Sequence, residues 1–306
     1  MNLNRIFVFT DFDLDGTTSL LELHWALKVK PGQIQYKSTT VSNFRREYLS
    51  WLNEHKPDNY DKIFILDLDV SGSADLVDRN NFVIIDHHLT HVKAKDNYKN
   101  ATVNVVETTS CAKLVYKHFN LQLTPEQKFL VALANDYDSY ALQISQSYEI
   151  NCLLTNLQKS AGGQKADKFM ARFYEGFKGF TAQETNIINT HIALRDKTIK
   201  ELNVFEGKVS IGGKERRVIG TTGNKFVNEV CDHLIKKLGA EIAFFVNPDV
   251  THVSFRKNKT CDVDLSKLAA KLCEGGGHEY AAGGKITESF MNFTKLLTPV
   301  EQTCPV

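Results

Sequence analysis

The chain has 306 residues, 42% hydrophobic and 24% charged, the make-up of a globular protein large enough for two cores. Its 37 Lys and Arg against 36 Asp and Glu leave a formal net charge of +1, which argues against a long sequence-blind nucleic-acid track but not against a local anion site. No apolar run approaches membrane-spanning length, and residues 1–5 carry no signal-peptide pattern. Cys111, Cys152, Cys231, Cys261, Cys273 and Cys304 form no C-x-x-C pair and read as reduced thiols, so a cytoplasmic protein without membrane contact is expected.

In chain order, residues 5–10 read as a strand and 17–29 as a helix opened by Thr17 or Thr18. Residues 44–54 follow as a helix, with buried strands at 62–67 and 82–86. Strands alternating with helices predict an α/β fold, a doubly wound and mainly parallel sheet whose ligands sit at the carboxyl ends of the strands. From about 109 to 175 the pattern is mainly helical, and 182–202 reads as a long amphipathic linker helix capped by Thr181. A smaller α/β domain follows, with a strand region at 204–211, a helix near 227–238, strands at 241–246 and 251–256, and a helix at 264–273. Lys214-Glu215-Arg216-Arg217 reads as a solvated turn, and Arg256-Lys257-Asn258-Lys259 is open to the same reading.

Asp11, Asp13 and Asp15 alternate just past the first strand, where extended backbone would put them on one face. Converging carboxylates repel unless a cation sits between them, and oxygen ligands joined by an imidazole suit manganese. The plain alternative is a surface turn in which Gly16 supplies a positive φ. Asp67 and Asp69 could each cap the next helix, but Asp67 emerges at the tip of an apolar strand and is preferred as a ligand, with Asp69 the alternate. In Asp86-His87-His88, adjacent side chains leaving a strand point apart, so one histidine should face metal and the other substrate, with His91 peripheral. Between Asp136 and Asp138 the residues alone do not choose. Gly275-Gly276-Gly277-His278 offers exposed backbone N–H groups to an anion, and Arg256 is a plausible second contact.

Taken together these segments resemble the DHH phosphoesterase family over nearly the whole chain: the aspartate-rich first motif, Asp67, Asp86-His87-His88, a fourth aspartate, and G-G-G-H-x-x-A-A-G-G at 275–284 in a C-terminal DHH-associated domain. The resemblance implies metal-binding roles for Asp13, Asp15, Asp67, His87 and Asp136, and for Asp11 where many relatives carry histidine. It implies that His88, with Asp86, acts at the scissile phosphate. Arg256, Gly275, Gly276, Gly277 and His278 would hold another phosphate or the terminal nucleotide. The implied domains are 1–180 (catalytic), 181–203 (linker helix) and 204–306 (substrate-binding). The implied cofactors are two divalent cations, Mn2+ preferred and Mg2+ possible.

The first motif, Asp11 to Ser19, is similar to that of RecJ-type exonucleases, whereas the short chain suits compact relatives that degrade short oligonucleotides. The expected activity is hydrolysis of phosphodiester bonds at the ends of single-stranded nucleic acid or short oligonucleotides. The alternative is a phosphatase or phosphodiesterase acting on 3′-phosphoadenosine 5′-phosphate or on linear or cyclic dinucleotides. A non-catalytic nucleic-acid-binding relative would normally have lost ligands that this chain keeps.

Overall fold

A computed structural model of the chain describes residues 5–157, 165–277 and 279–300, and the chain divides into two compact units, Met1–His191 and Ile192–Val306. In the first unit, β1 (Ile6–Asp11), β2 (Gln35–Thr39), β3 (Lys62–Leu66), β4 (Phe82–Asp86) and β5 (Thr102–Val105) form a parallel sheet in the order β2-β1-β3-β4-β5. The three inner strands are apolar without alternation, so both their faces need covering.

Phe7, Phe9, Ile63, Ile65, Phe82 and Ile84 pack with Phe44, Tyr48 and Trp51. These three come from α2 (Val41–Trp51), and burying each such side chain is worth about 1.5–3 kcal/mol. The opposite face carries Val8, Phe64, Leu66 and Ile85, all buried, and lies against α1 (Leu14–Leu27) and α5 (Cys111–His118). Short helices α3 (Ala74–Val77) and α4 (Leu89–Ala94) follow β3 and β4. After α5 come α6 (Pro125–Asp138), α7 (Ser145–Asn156) and α8 (Lys165–Phe173). The predicted linker helix is α9 (Ala182–Lys200), with Thr181 Oγ1 accepting from the Glu184 N–H at 3.2 Å, and the division between the units falls within it.

The second unit holds β6 (Val204–Ile211), β7 (Lys214–Thr222), β8 (Ile242–Asn247), β9 (His252–Lys257), β10 (Gly276–Gly277), β11 (Ala281–Lys285) and β12 (Thr298–Val300). Their order is β10-β11-β9-β8-β7-β6-β12, antiparallel except between β7 and β8. Val230, Cys231 and Leu234 of α10 (Val227–Lys236) cover one face. Helices α11 (Leu265–Cys273) and α12 (Glu288–Thr294) cover the other.

Two expectations are corrected here. Lys214-Glu215-Arg216-Arg217 opens β7 instead of forming a turn, and Arg216 pairs with Glu241 at 2.8 Å and with Asp262. Lys257 is buried, its ammonium bonded to Glu279 at 2.7 Å and to the Val263 carbonyl at 2.9 Å. Among the described residues no helix is long and apolar enough to cross a membrane, and Cys111, Cys152, Cys231, Cys261 and Cys273 are buried thiols.

Candidate metal centre

Because β1, β3 and β4 run parallel, their carboxyl ends meet at one edge: Asp11 ends β1, Asp67 follows β3, and His87 and His88 follow β4. The first motif does not continue as a strand. Helix α1 begins at Leu14, capped by Asp13, whose carboxylate accepts the Gly16 N–H at 2.9 Å. The three carboxylates are thus spread over a strand end, a cap and a first helical turn, not one extended face. Thr10 Oγ1 donates to the Gly16 carbonyl at 2.8 Å. A Cβ on Gly16 would lie 2.5 Å from the Asp11 carbonyl oxygen, so close backbone approach explains the glycine, and a positive φ does not.

Asp15 is buried, and its carboxylate accepts the N–H groups of Cys111 at 2.6 Å and Ala112 at 2.9 Å. Those are the first two residues of α5, so the positive end of that helix stabilises the charge. Asp67 adopts a left-handed φ of 57°, and its buried Oδ1 has no hydrogen-bond donor among the described residues. His87 Nδ1 lies 3.2 Å from the Thr108 carbonyl, which can only accept, so Nδ1 carries hydrogen. Nε2 therefore turns to Asp67 at 3.3 Å, Asp138 at 3.5 Å and Asp15 at 3.7 Å. Among the described residues two groups offer ligand atoms within 4.8 Å of one another: Asp67, His87 and His88, and Asp15, His87 and Asp138.

Asp136, the expected fourth carboxylate, is not at this edge. It accepts from Gln143 N–H at 3.1 Å, Ile144 N–H at 3.0 Å and Ser147 Oγ at 2.7 Å, so it ties down the segment leading into α7 and is held below the usual carboxylate range against its burial. Two residues apart on α6, Asp136 and Asp138 point to different sides. The side facing His87 is that of Asp138, the aspartate the family motif had passed over.

His88 Nδ1 bonds Asp86 Oδ1 at 2.6 Å. Burial opposes its charge, but Asp86, with Asp69 and Asp13, lifts its pKa to about 9. Asp69 lies aside from the ligand groups, accepting the Ser71 N–H at 2.9 Å and bonding Thr90 Oγ1. His91, expected at the periphery, is fully buried and bonds the second oxygen of Asp86 at 2.7 Å. Sequence reasoning missed its part in the site. The spacing of three residues from His88 into a helical turn was the available signal.

Does the donor set fit a cation? Burial, then the charges of Asp15 and Asp13, pushes Asp67 well above the carboxylate range, and burial with Asp15, Asp13 and Asp11 does the same to Asp138. Burial and Asp13 raise Asp11 to about 7. Burial raises Asp15 to about 6 against the pull of His87. Such a set, with an orphaned carboxylate oxygen, fits divalent cations, which would restore the ionised forms.

Groups whose folded pKa lies above the unfolded value contribute stability at low pH that is lost as pH rises, here from the ordinary carboxylate range through about 6 and about 7. A bound cation displaces those protons. Manganese should therefore raise the melting temperature more at pH 8 than at pH 5.5, as scanning fluorimetry reads directly. Equal shifts at both pH values would place the cation elsewhere.

In the C-terminal unit, Arg256 is half-buried and donates to Asn228 Oδ1 of α10 at 2.7 Å. Gly275 and Gly277 sit where a Cβ would lie 1.9 Å from the Gly283 carbonyl oxygen and 2.7 Å from that of Ala281. Close packing of β10 on β11 thus accounts for both glycines without a ligand. Gly276 has open space beside it, and His278 lies outside the described residues.

The first unit is thus an open parallel sheet with a carboxylate–imidazole cluster at its carboxyl edge, and family models match both units. Residues 5–140 match the DHH family N-terminal domain and residues 218–303 the DHHA1 domain. The chain belongs to the DHH phosphoesterase family, in the form that carries a DHHA1 domain.

No curated protein matches the chain. Among solved structures it is similar to the pGpG-specific phosphodiesterase PggH of Vibrio cholerae, with a TM-score of 0.58 and 13% identity over 95% of this chain and 96% of that one. It is also similar to a manganese-bound RecJ exonuclease, with a TM-score of 0.51 and 14% identity over 95% and 88%. For the Mn2+ complex of RecJ from Thermus thermophilus, the TM-score is 0.51 and the identity 13%, over 95% of this chain but 51% of that one. At these identities the likeness is one of fold.

Proposed function

We propose that this chain is a divalent-cation-dependent phosphoesterase that hydrolyses phosphodiester bonds at the ends of single-stranded nucleic acid or short oligonucleotides. The observation that carries the proposal is His87 Nε2 ringed by Asp67, Asp138 and Asp15 at 3.3, 3.5 and 3.7 Å. Those four residues would hold a pair of cations, manganese in preference to magnesium, with Asp11 and Asp13 completing an anionic rim. Divalent cations bound there supply Lewis-acid activation of water and offset the charge that grows on phosphoryl oxygens.

The chain's own groups act beside them. His88, anchored on Asp86, donates an N–H to a non-bridging oxygen and steadies the charge building there. Residues 1–180 form the catalytic domain, 181–203 the linker and 204–306 the substrate-binding domain. In the last, Arg256 and His278, with the backbone of Gly276 beside open space, would bind a phosphate group of the substrate.

A second reading, hydrolysis of a dinucleotide, is prompted by the likeness in fold to the Vibrio phosphodiesterase. The test is a digest of end-labelled DNA and RNA, from dinucleotides upward, with manganese, magnesium or chelator. Stepwise release from ends is expected, faster with manganese and absent with chelator. Turnover confined to dinucleotides selects the second reading, and full activity after exhaustive chelation ends the metal proposal.

A further inference from the structure

Beneath the metal centre a buried hydrogen-bond chain leads away from the substrate side. His88 Nδ1 meets Asp86 Oδ1 at 2.6 Å, and Asp86 Oδ2 meets His91 Nδ1 at 2.7 Å. His91 Nε2 then meets the Tyr98 hydroxyl at 2.8 Å. Asp86 and His91 are fully buried. An ionised carboxylate can only accept, so both Nδ1 atoms carry hydrogen, and the Tyr98 hydroxyl, which can donate or accept, closes the chain at His91 Nε2.

We infer that His91 and Tyr98 are positioning residues that act through Asp86 to fix the imidazole of His88. The inference rests on the phosphoesterase reading above for its link to turnover, but not for its geometry.

The terminal torsion of an aspartate is soft, with a broad two-fold profile. Gripped by His88 alone, the Asp86 carboxylate could turn about that torsion and carry the imidazole with it. The bond from His91 to the second oxygen stops that rotation, and Tyr98 in turn stops the His91 ring. Local structure makes the arrangement possible: His88 caps α4, and three residues on His91 returns to the same side, over the same carboxylate. An apolar residue of similar volume would fill the same space at a lower desolvation cost than a buried histidine. A chain satisfied at every atom and ending on a site residue is the pattern of groups that support functional side chains, whose loss typically costs about 10–100-fold in activity.

The test compares His91→Leu, His91→Asn and Tyr98→Phe in the full chain. Asparagine places its amide N–H where Nδ1 stood, keeping the Asp86 bond while losing Tyr98. With bis-p-nitrophenyl phosphate as substrate, His91→Leu should lower kcat about 10–100-fold with KM and metal content little changed. His91→Asn should recover most of that loss, and Tyr98→Phe should fall between His91→Asn and the native chain. An activity-independent reading comes from proton NMR of the magnesium-loaded protein. The low-field N–H proton of His88 on Asp86 should persist in His91→Asn and shift or broaden in His91→Leu.

If the native chain hydrolyses no phosphodiester, the function proposal fails and the NMR result alone judges this one. An unchanged His88 proton in folded His91→Leu overturns it, as does an asparagine variant no better than leucine in whichever readout applies.

Discussion

Asp138→Asn is expected to lower phosphodiester turnover by about 10³-fold or more, the several kcal/mol that cation binding contributes at such a centre, while leaving the metal-free fold intact. Asp136→Asn is expected to do the reverse. It should turn over substrate at close to the native rate but melt about 5 °C lower, because an amide placed among Gln143 N–H, Ile144 N–H and Ser147 Oγ faces donors with a donor of its own. The contrast follows from where the two carboxylates point: Asp138 Oδ2 lies 3.5 Å from His87 Nε2, whereas both oxygens of Asp136 serve the start of α7. Melting curves with and without manganese, run beside the kinetics, separate the two roles. Should Asp136→Asn lose its manganese-induced shift and Asp138→Asn keep it, the assignment of the fourth carboxylate must be exchanged.

That pair also marks where the sequence stopped being readable. The strands at the heart of the first sheet were legible because burial on both faces writes itself as unbroken apolar runs, and β4 begins and ends where FVIID does. The edge strands β2 and β5, QYKST and TVNV, were not read as strands because each is half solvated and need not be apolar. Asp67 and the two histidines were legible because parallel strands deliver their last residues to a common edge.

The first helix was misplaced by three residues, since Asp13 was counted as a ligand when it also caps α1 from Leu14. Capping is local, and a cap with Gly16 three residues on was there to be read. The choice between Asp136 and Asp138 was not, because it depends on the Gln143 and Ile144 N–H groups, just ahead of α7, turning back to α6, a tertiary event with no local signature. His91 lay between these cases: its spacing from His88 was visible, but its partner Tyr98 is joined to it through the fold.

Asp67→Asn should abolish turnover as thoroughly as Asp138→Asn and yet make the metal-free protein more stable. Asp67 sits at φ 57°, a backbone state that asparagine adopts more readily than most residues, so the substitution carries little strain where alanine would carry more. Its Oδ1 is buried without a donor among the described residues, and burial together with the Asp15 and Asp13 charges drives its pKa well above the usual range. A carboxyl in that position adds nothing to folding once the pH exceeds its raised pKa, because ionising it in the folded state is then costly. The neutral amide removes the cost. The melting temperature of metal-free Asp67→Asn should therefore exceed that of the native chain at pH 8, and by more than at pH 5.5. Manganese, expected to raise the native melting temperature, should leave this variant nearly unmoved.

The two expected outcomes pull in opposite directions because, on the proposed reading, the carboxylate whose burial destabilises the metal-free fold is also the one that would hold the cation. If Asp67→Asn melts below the native chain without metal at both pH values, Asp67 is a structural residue. If it still turns over substrate with manganese, the cations are held without it.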